Sequence, residues 1–454
     1  MKPSLRVLFV SLAAAVFITL IIIPIPGMDK GAQNTLAVFA LALILWVSEA
    51  IPLYITSFII VGLLAIFVPQ HITATSVSYK DFLAQFFSPV ILLFLGGFVL
   101  AKGLETYSLD SLLASAILRR VGKRPWAILA GFMGVTALLS MWMSNTAATA
   151  LMIAVALPLI NSINSKDPIR IGLILGIPFA ANLGGMATPI GTPPNAIAIA
   201  ALRDAGIGIN FLDWMGLAFP LTVVLLFITW GLILILFKPK TKTLEFSITK
   251  STNMSWKEWI VLITLALTVT GWLTQKIHKI PNAIIALLPA IIFFSLGLLG
   301  RKHFRKLGWD VLILMGGGLA LGKAVLASGL DKWMVNSLGL GALSPVPLFI
   351  GFVLLTVILT NFISNTSSAA LIIPLALGFG MSTGGYRLAI SVAMAASASM
   401  LLPVSTPPNA IAFGSGLLKV KHMFRTGILI AVMAVALILL FGLIIWPRLN
   451  IISA

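Results

Sequence analysis

The chain has 454 residues, of which 59% are hydrophobic and only 9% charged, and its net charge is +18 from 30 Lys+Arg against 12 Asp+Glu. A soluble domain of this size draws about a quarter of its residues from Asp, Glu, Lys and Arg to cover its surface. The composition therefore excludes one, and with it the nucleic-acid partner that a basic soluble protein would suggest. Cysteine is absent, which excludes disulfide and thiol chemistry.

Apolar stretches such as Val7–Pro24, Thr35–Val47, Ile55–Val68 and Ile260–Leu273 recur along the whole chain. Backbone groups in lipid must be satisfied internally, so helices are the default for such runs. The alternation in segments of about ten residues that marks a β-barrel is absent. The opening MKPSLRVLFV puts basic residues before an apolar run, and no small-residue cleavage site follows, so it reads as a first membrane helix. Eleven full spans are predicted at 6–25, 34–51, 53–70, 86–106, 168–202, 212–237, 257–275, 281–299, 308–327, 385–416 and 423–446. Two further stretches, 126–160 and 346–380, carry a polar interruption near the middle. Each suits a re-entrant hairpin of two half-length helices.

The basic residues test this drawing. With the N-terminus in the cytoplasm, the cytoplasmic loops hold 20 Lys and Arg, among them Lys2, Arg119, Arg120, Lys123, Arg124, Lys238, Lys250, Arg301 and Lys419; the opposite side holds 8. That bias fits the positive-inside rule and places the C-terminus outside.

An internal repeat follows. Gly96-Gly97 recurs as Gly316-Gly317 and Ser144-Asn145-Thr146 as Ser364-Asn365-Thr366, both at an offset of 220. Leu109-Asp110 recurs as Leu330-Asp331 at 221, and Thr192-Pro193-Pro194-Asn195 as Thr406-Pro407-Pro408-Asn409 at 214. Five crossings, an odd number, lie between equivalent points, so the second copy is inverted. Inverted repeats place transport sites at their interface near the membrane midplane.

The motifs that carry chemistry are the repeated ones. MWMSNTAATA (141–150) and NFISNTSSAA (361–370) sit at the centres of the two hairpins. Ser, Asn and Thr at a helix start cap free amides, and the half-helix behind them presents its positive dipole end. One such run alone reads as ordinary capping. Two at matched positions, deep in apolar sequence where polar side chains are expensive, read as a binding site. Two such ends facing each other would hold an anion without any cationic side chain. In ATPIGTPPNAIAIA (187–200) and LPVSTPPNAIAFGSG (402–416), consecutive prolines break a helix and free carbonyls and amides. Gly96-Gly97 and Gly316-Gly317-Gly318 read as close helix packing. Glu49, in WVSEAIP (46–52), reads as a structural anchor at a span end. His71, His278, His303 and His422 fall in loops or at span ends. HExxH and P-loop patterns are absent, which argues against metalloprotease and ATP-driven chemistry. The candidate cavity holds no Asp or Glu, which disfavours a cationic substrate.

The doubled Ser-Asn-Thr, the doubled Thr-Pro-Pro-Asn and the Trp-x-x-Glu-Ala-Ile-Pro run together closely resemble the divalent anion/sodium symporter family, the INDY-type di- and tricarboxylate transporters, over essentially the whole chain. The resemblance implies a homodimer in which a transport domain moves like an elevator against a scaffold. It implies substrate contacts from Asn145, Thr146, Asn365, Thr366, Thr192, Pro193, Thr406 and Pro407. It implies one sodium site from Ser140, Ser144, Asn145 and the Gly191 backbone, and an inverted mate from Thr360, the Ile363 backbone, Asn365 and the Ser405 backbone. Bound sodium would supply the positive charge that a dianion needs, since the site lacks Lys and Arg, so cation and substrate should bind cooperatively.

The sequence thus predicts an all-α polytopic membrane protein with about 11 transmembrane helices and two re-entrant hairpins in two inverted repeats. A first helix at 1–33 precedes repeat 1 at 34–238, with scaffold helices 34–122, hairpin 125–162, broken helix 168–202 and a helix at 212–238. A cytoplasmic loop at 239–256 leads to repeat 2 at 257–447, with scaffold helices 257–340, hairpin 346–380, broken helix 385–416 and a helix at 423–447. The expected function is a non-enzymatic secondary transporter that couples sodium to uptake of C4-dicarboxylates such as succinate, malate or fumarate, in a bacterial inner membrane. Its rivals are a sodium-independent dicarboxylate exchanger or a citrate or sulfate symporter on the same fold, and from another class a channel or an integral membrane enzyme.

Overall fold

The computed structural model describes residues 3–72, 77–244, 254–337, 344–380 and 385–449. Lys2 and Lys250, counted above on the cytoplasmic side, lie outside the described residues, as does the middle of the 239–256 loop. Among the described residues every regular element is a helix.

Among the described residues ten helices are long and apolar enough to cross a bilayer. Nine of these fall on predicted spans, and the tenth, Asn145–Ser162, is an arm of the first hairpin. The remaining two predicted spans are interrupted. The 281–299 stretch is two short pieces, Asn282–Ile285 and Leu287–Ser295, and the 385–416 stretch is Gly385–Ala396 followed by Pro407–Gly414. Two short helices at matched repeat positions, Leu109–Leu118 and Leu330–Ser337, were folded into the scaffold ranges by the sequence reading. Hydropathy detects what crosses a bilayer, and at 10 and 8 residues these are too short to cross.

Proline sets where the key helices begin. Pro89, Pro125, Pro193, Pro345 and Pro407 each stand at a helix start. There the missing N–H would be unpaired in any case and the fixed φ is already helical. The hairpins form as predicted, from arms Pro125–Ser140 and Asn145–Ser162 in the first and Pro345–Thr360 and Asn365–Gly380 in the second.

The two repeats exchange partners. Leu53–Phe67 of repeat 1 packs on Trp309–Ala327 of repeat 2, while the Asn282–Ser295 pieces of repeat 2 pack on Pro89–Thr106 of repeat 1. The glycine pairs make this approach possible. A Cβ on Gly96 would fall on the Ala286 carbonyl, and one on Gly317 would fall on the Ser57 side chain. Ser57 Oγ lies 3.3 Å from Leu314 O at this crossing. The symmetry extends into helices whose sequences show little likeness. Trp46 Nε1 donates to Leu53 O at 3.3 Å and Trp272 Nε1 to Asn282 O at 3.1 Å. Both indoles are fully buried, and each closes a helix onto the start of the next. Glu49 is exposed and ends the Lys30–Ser48 helix in a left-handed conformation (φ 49°), a turn position rather than a buried relay.

The loop joining the repeats is pinned at its start. Asp167 accepts from Lys240 N, Thr241 N and Thr241 Oγ1, and also from Ile169 N at the start of the Ile169–Met186 helix. Burial by itself would raise the Asp167 carboxyl, but these hydrogen bonds outweigh it and hold its pKa below the usual carboxylate range.

Candidate functional site

Each hairpin tip meets the broken helix of its own repeat, and there the structure gathers neutral oxygens. In repeat 1, Ser140 Oγ donates to Ala181 O at 2.8 Å and has Asn145 Oδ1 as its other neighbour. The same Asn145 atom lies 3.2 Å from Gly191 O and 3.3 Å from Ala181 O. In repeat 2, Thr360 Oγ1 lies 2.6 Å from Ala396 O and 2.8 Å from Asn365 Oδ1, and Ser399 Oγ donates to Asn365 Oδ1 at 2.7 Å. Ser140 and Thr360 correspond at an offset of 220, as do Asn145 and Asn365, and the Ala181 and Ala396 carbonyls take the same part in each cluster. The two clusters are inverted copies of one arrangement.

A hydroxyl carries one proton, so each cluster contains close oxygen–oxygen approaches with no hydrogen between them. Around Asn145 the crowding is relieved either by rotating the amide, so that its nitrogen donates to Ser140, Ala181 and Gly191, or by a monovalent cation among the oxygens. Hydroxyl, amide and carbonyl oxygens without a carboxylate are a donor set for a hard, singly charged ion. Among the described residues no group of three or more His, Cys, Asp or Glu is placed to hold a metal.

Helix ends give the site its polarity. The Pro125–Ser140 and Ile169–Met186 helices end beside the first cluster, and their C-terminal dipole ends favour a cation there. Asn145–Ser162 and Pro193–Asp204 begin beside it and present N-terminal ends suited to an anion. Ser144 caps its helix by accepting from Ala147 N at 3.2 Å, and Ser364 accepts from Ser367 N at 3.1 Å. Thr406 caps the Pro407–Gly414 helix by accepting from Asn409 N.

The breaks are latched by their asparagines. Asn195 Nδ2 reaches the carbonyls of Gly185, Met186 and Thr188 at 2.9, 3.2 and 2.7 Å. Asn409 Nδ2 reaches those of Ser399 and Leu402 at 3.4 and 3.0 Å. Both side chains are fully buried. Each therefore satisfies carbonyls that the broken helix leaves free, which proline alone cannot do. Asn195→Ala strands three buried acceptors and should cost about 2–4 kcal/mol. A thermal melt of the purified protein in detergent checks this, with the midpoint expected to fall by about 5 °C or more.

Straps also tie each break to its hairpin. Thr188 Oγ1 donates to Met141 O at 2.6 Å, and Ser405 Oγ lies 3.0 Å from Asn361 O. Met141 and Asn361 are equivalent, but Thr188 and Ser405 are not, so the two repeats reach one solution from different positions.

The structure brings Ser140, Asn145 and Gly191 together, and Thr360 with Asn365. The Ser144 hydroxyl is exposed and engaged in capping. Ile363 is buried in the second hairpin turn, and the Ser405 hydroxyl is spent on Asn361. Of the expected substrate contacts, Thr192, Thr366 and Thr406 are buried, Asn145, Asn365 and Pro193 half-buried, and Thr146 and Pro407 exposed. They are shared across the repeats, because Pro407–Gly414 packs on Asn145–Ser162, and Pro193–Asp204 packs on Asn365–Gly380. Sequence reasoning missed the carbonyls of Ala181 and Ala396, since an alanine carries no signal for its own backbone. It also missed Ser399 and Asn182; for Asn182 the signal was an amide alone within an apolar helix.

The family model described as "Sodium:sulfate symporter transmembrane region" matches residues 5–452. The chain is 34% identical over 454 residues to an uncharacterized transporter of Haemophilus influenzae, covering 95% of each. It is 33% identical over 456 residues to the sodium-dependent dicarboxylate transporter SdcS of Staphylococcus saprophyticus, covering 91% of this chain and 85% of the relative. Among solved structures, that of the Alcanivorax borkumensis YdaH transporter, said to reveal an unusual topology, is similar with a TM-score of 0.57 at 15% identity, covering 92% of this chain and 100% of that one. At that identity the likeness concerns the fold.

Proposed function

Because the chain belongs to the sodium:sulfate symporter transmembrane family, we propose that it is a secondary transporter, not an enzyme, that couples sodium entry to uptake of a small C4-dicarboxylate such as succinate. The observation that carries this reading is the pair of inverted oxygen clusters, each built from a hydroxyl, an amide oxygen and a carbonyl at a helix break. Sodium is the ion that such a set suits, and helix N-termini beside it suit a carboxylate. A dicarboxylate is favoured over sulfate by the SdcS relatives, which are named sodium-dependent dicarboxylate transporters.

In this reading Ser140, Asn145 and Gly191, with the Ala181 carbonyl, hold one sodium. Thr360, Asn365 and the Ala396 carbonyl hold the other, with Ser144, Ile363 and Ser405 contributing at the edges. The substrate carboxylates meet Asn145, Thr146, Asn365 and Thr366 at the tips and Thr192, Pro193, Thr406 and Pro407 at the breaks. The hairpins and broken helices move together as an elevator against the scaffold, in a homodimer of a bacterial inner membrane, with the N-terminus cytoplasmic and the C-terminus outside.

Uptake of radiolabelled succinate into proteoliposomes tests the whole reading. An inward sodium gradient should raise initial uptake at least about 10-fold over choline, and unlabelled malate and fumarate should compete while sulfate does not. Equal uptake in choline, or competition by sulfate alone, would sink it.

A further inference from the structure

The two oxygen clusters lie in different repeats, yet a single side chain links them. Asn182, on the Ile169–Met186 helix, is 1% exposed and follows Ala181, whose carbonyl belongs to the first cluster. Its Nδ2 lies 3.3 Å from Thr406 Oγ1 and 3.3 Å from Asn409 Oδ1, both in the break of repeat 2. Asn409 Nδ2 in turn reaches Ser399 O at 3.4 Å, and Ser399 Oγ donates to Asn365 Oδ1 of the second cluster at 2.7 Å. A continuous polar path therefore runs from Ala181 to Asn365 through buried side chains. Its geometry is loose at the Asn182 contacts, and Asn182 Oδ1 has no partner among the described residues. A buried amide held by long bonds on one side and none on the other gains from a small shift of either neighbour.

The bridge is also one-sided. At the 214 offset of the break the residue equivalent to Asn182 is Ala396, which has no polar side chain, and the hydroxyl of the neighbouring Ser397 turns back to Ala393 O in its own helix. The inverted fold is thus built twice while the bridge is built once, so helix packing does not require it. A polar side chain at this depth is expensive and needs a reason.

We propose that Asn182 is a positioning residue that couples the two cation sites: closing the first cluster around its ion draws Ala181 and Asn182, and Asn182 sets the Thr406–Asn409 break that shapes the second. The proposal rests on the two-site sodium reading above. Its reach is the hydrogen-bonded path through Asn182, Asn409 and Ser399, a contiguous network of the kind that can carry coupling between sites. Coupling of this kind appears as steepness in the ion dependence of substrate binding.

The test is binding of radiolabelled succinate to purified protein at rising sodium concentration, for wild type, Asn182→Ala and the bulkier apolar Asn182→Leu, which fills the space the amide leaves. Wild type should titrate with a Hill coefficient of about 2. In the folded variants the coefficient should fall toward about 1 and half-saturating sodium should rise about 3- to 10-fold, with succinate binding retained at saturating sodium. A folded variant that keeps the wild-type steepness overturns the proposal. So does one that loses succinate binding at every sodium concentration, because Asn182 would then serve the substrate site or the fold. Wild type with no sodium dependence overturns the sodium reading itself. Wild type that binds sodium with a coefficient of 1 overturns the coupling and leaves the two sites standing.

Discussion

Asn145→Ala is expected to abolish sodium-driven succinate uptake, lowering it by at least about 100-fold, while the protein still elutes as a folded species. Asn145 sits where two demands meet. Its side-chain amide faces Ser140 Oγ, Ala181 O and Gly191 O, and its backbone opens the Asn145–Ser162 helix, whose amides point toward the proposed anion. In the proposed reading, removing it takes a ligand from the cation and a polar contact from the carboxylate. Interactions of charged groups are worth about 1.5–3 kcal/mol each, so losing two gives about 3–6 kcal/mol. The residue is only half-buried, at the first position of its helix, so folding should survive. Asn365→Ala should behave alike, because Asn365 Oδ1 takes Thr360 Oγ1 and Ser399 Oγ in the mirror arrangement. Proteoliposome uptake alongside size-exclusion chromatography decides the matter, and normal uptake by either folded variant would refute the site.

Gly185→Ala should be nearly as damaging, by a different route. A Cβ at Gly185 would stand 2.5 Å from Asn145 Oδ1 and 3.1 Å from Gly191 O, inside the first oxygen cluster. Those neighbours include a backbone carbonyl, so the group cannot simply swing aside. Half-saturating sodium for uptake should rise about 10-fold or more, a loss of about 1.4 kcal/mol in cation affinity. Gly191→Ala should be worse, since its Cβ would fall on the Gly185 carbonyl and lie 2.9 Å from Gly185 Cα, which prevents the break from closing. Gly231→Ala supplies the control, because nothing lies within 4 Å of a Cβ there. Sodium titrations of uptake for the three variants check the order, and a Gly185→Ala protein with an unshifted titration would remove the first cluster from the cation's path.

Much of the candidate site was legible because the chain contains its motifs twice. The tips at 144–146 and 364–366 and the breaks at 192–195 and 406–409 repeat at nearly one spacing, and that recurrence separates a site from ordinary caps and kinks. Ser140 and Thr360 differ in residue type but share a hydroxyl five residues before the tip asparagine, and the structure places both on that asparagine's oxygen. The asparagines of the breaks were noticed, but their work was not. Asn195 and Asn409 latch free carbonyls, which is visible only once the broken backbone has folded around them. The 281–299 span was drawn as one helix because hydropathy sums composition and does not register the interruption at Ala286, where Gly96 crosses.

By itself the sequence determined the membrane class, the all-helical architecture and the internal repeat, and it proposed a site of neutral residues. Those follow from composition, periodicity and the cost of placing charge in lipid, each of which is local to a segment. Only the tertiary structure decided which backbone carbonyls complete each cluster, that each repeat's post-break helix packs on the other's hairpin, and that Asn182 reaches across to Thr406 and Asn409. A carbonyl is the same in every residue, and a contact between positions more than 200 residues apart leaves no mark in either segment. Such features exist only where the chain has been brought back on itself.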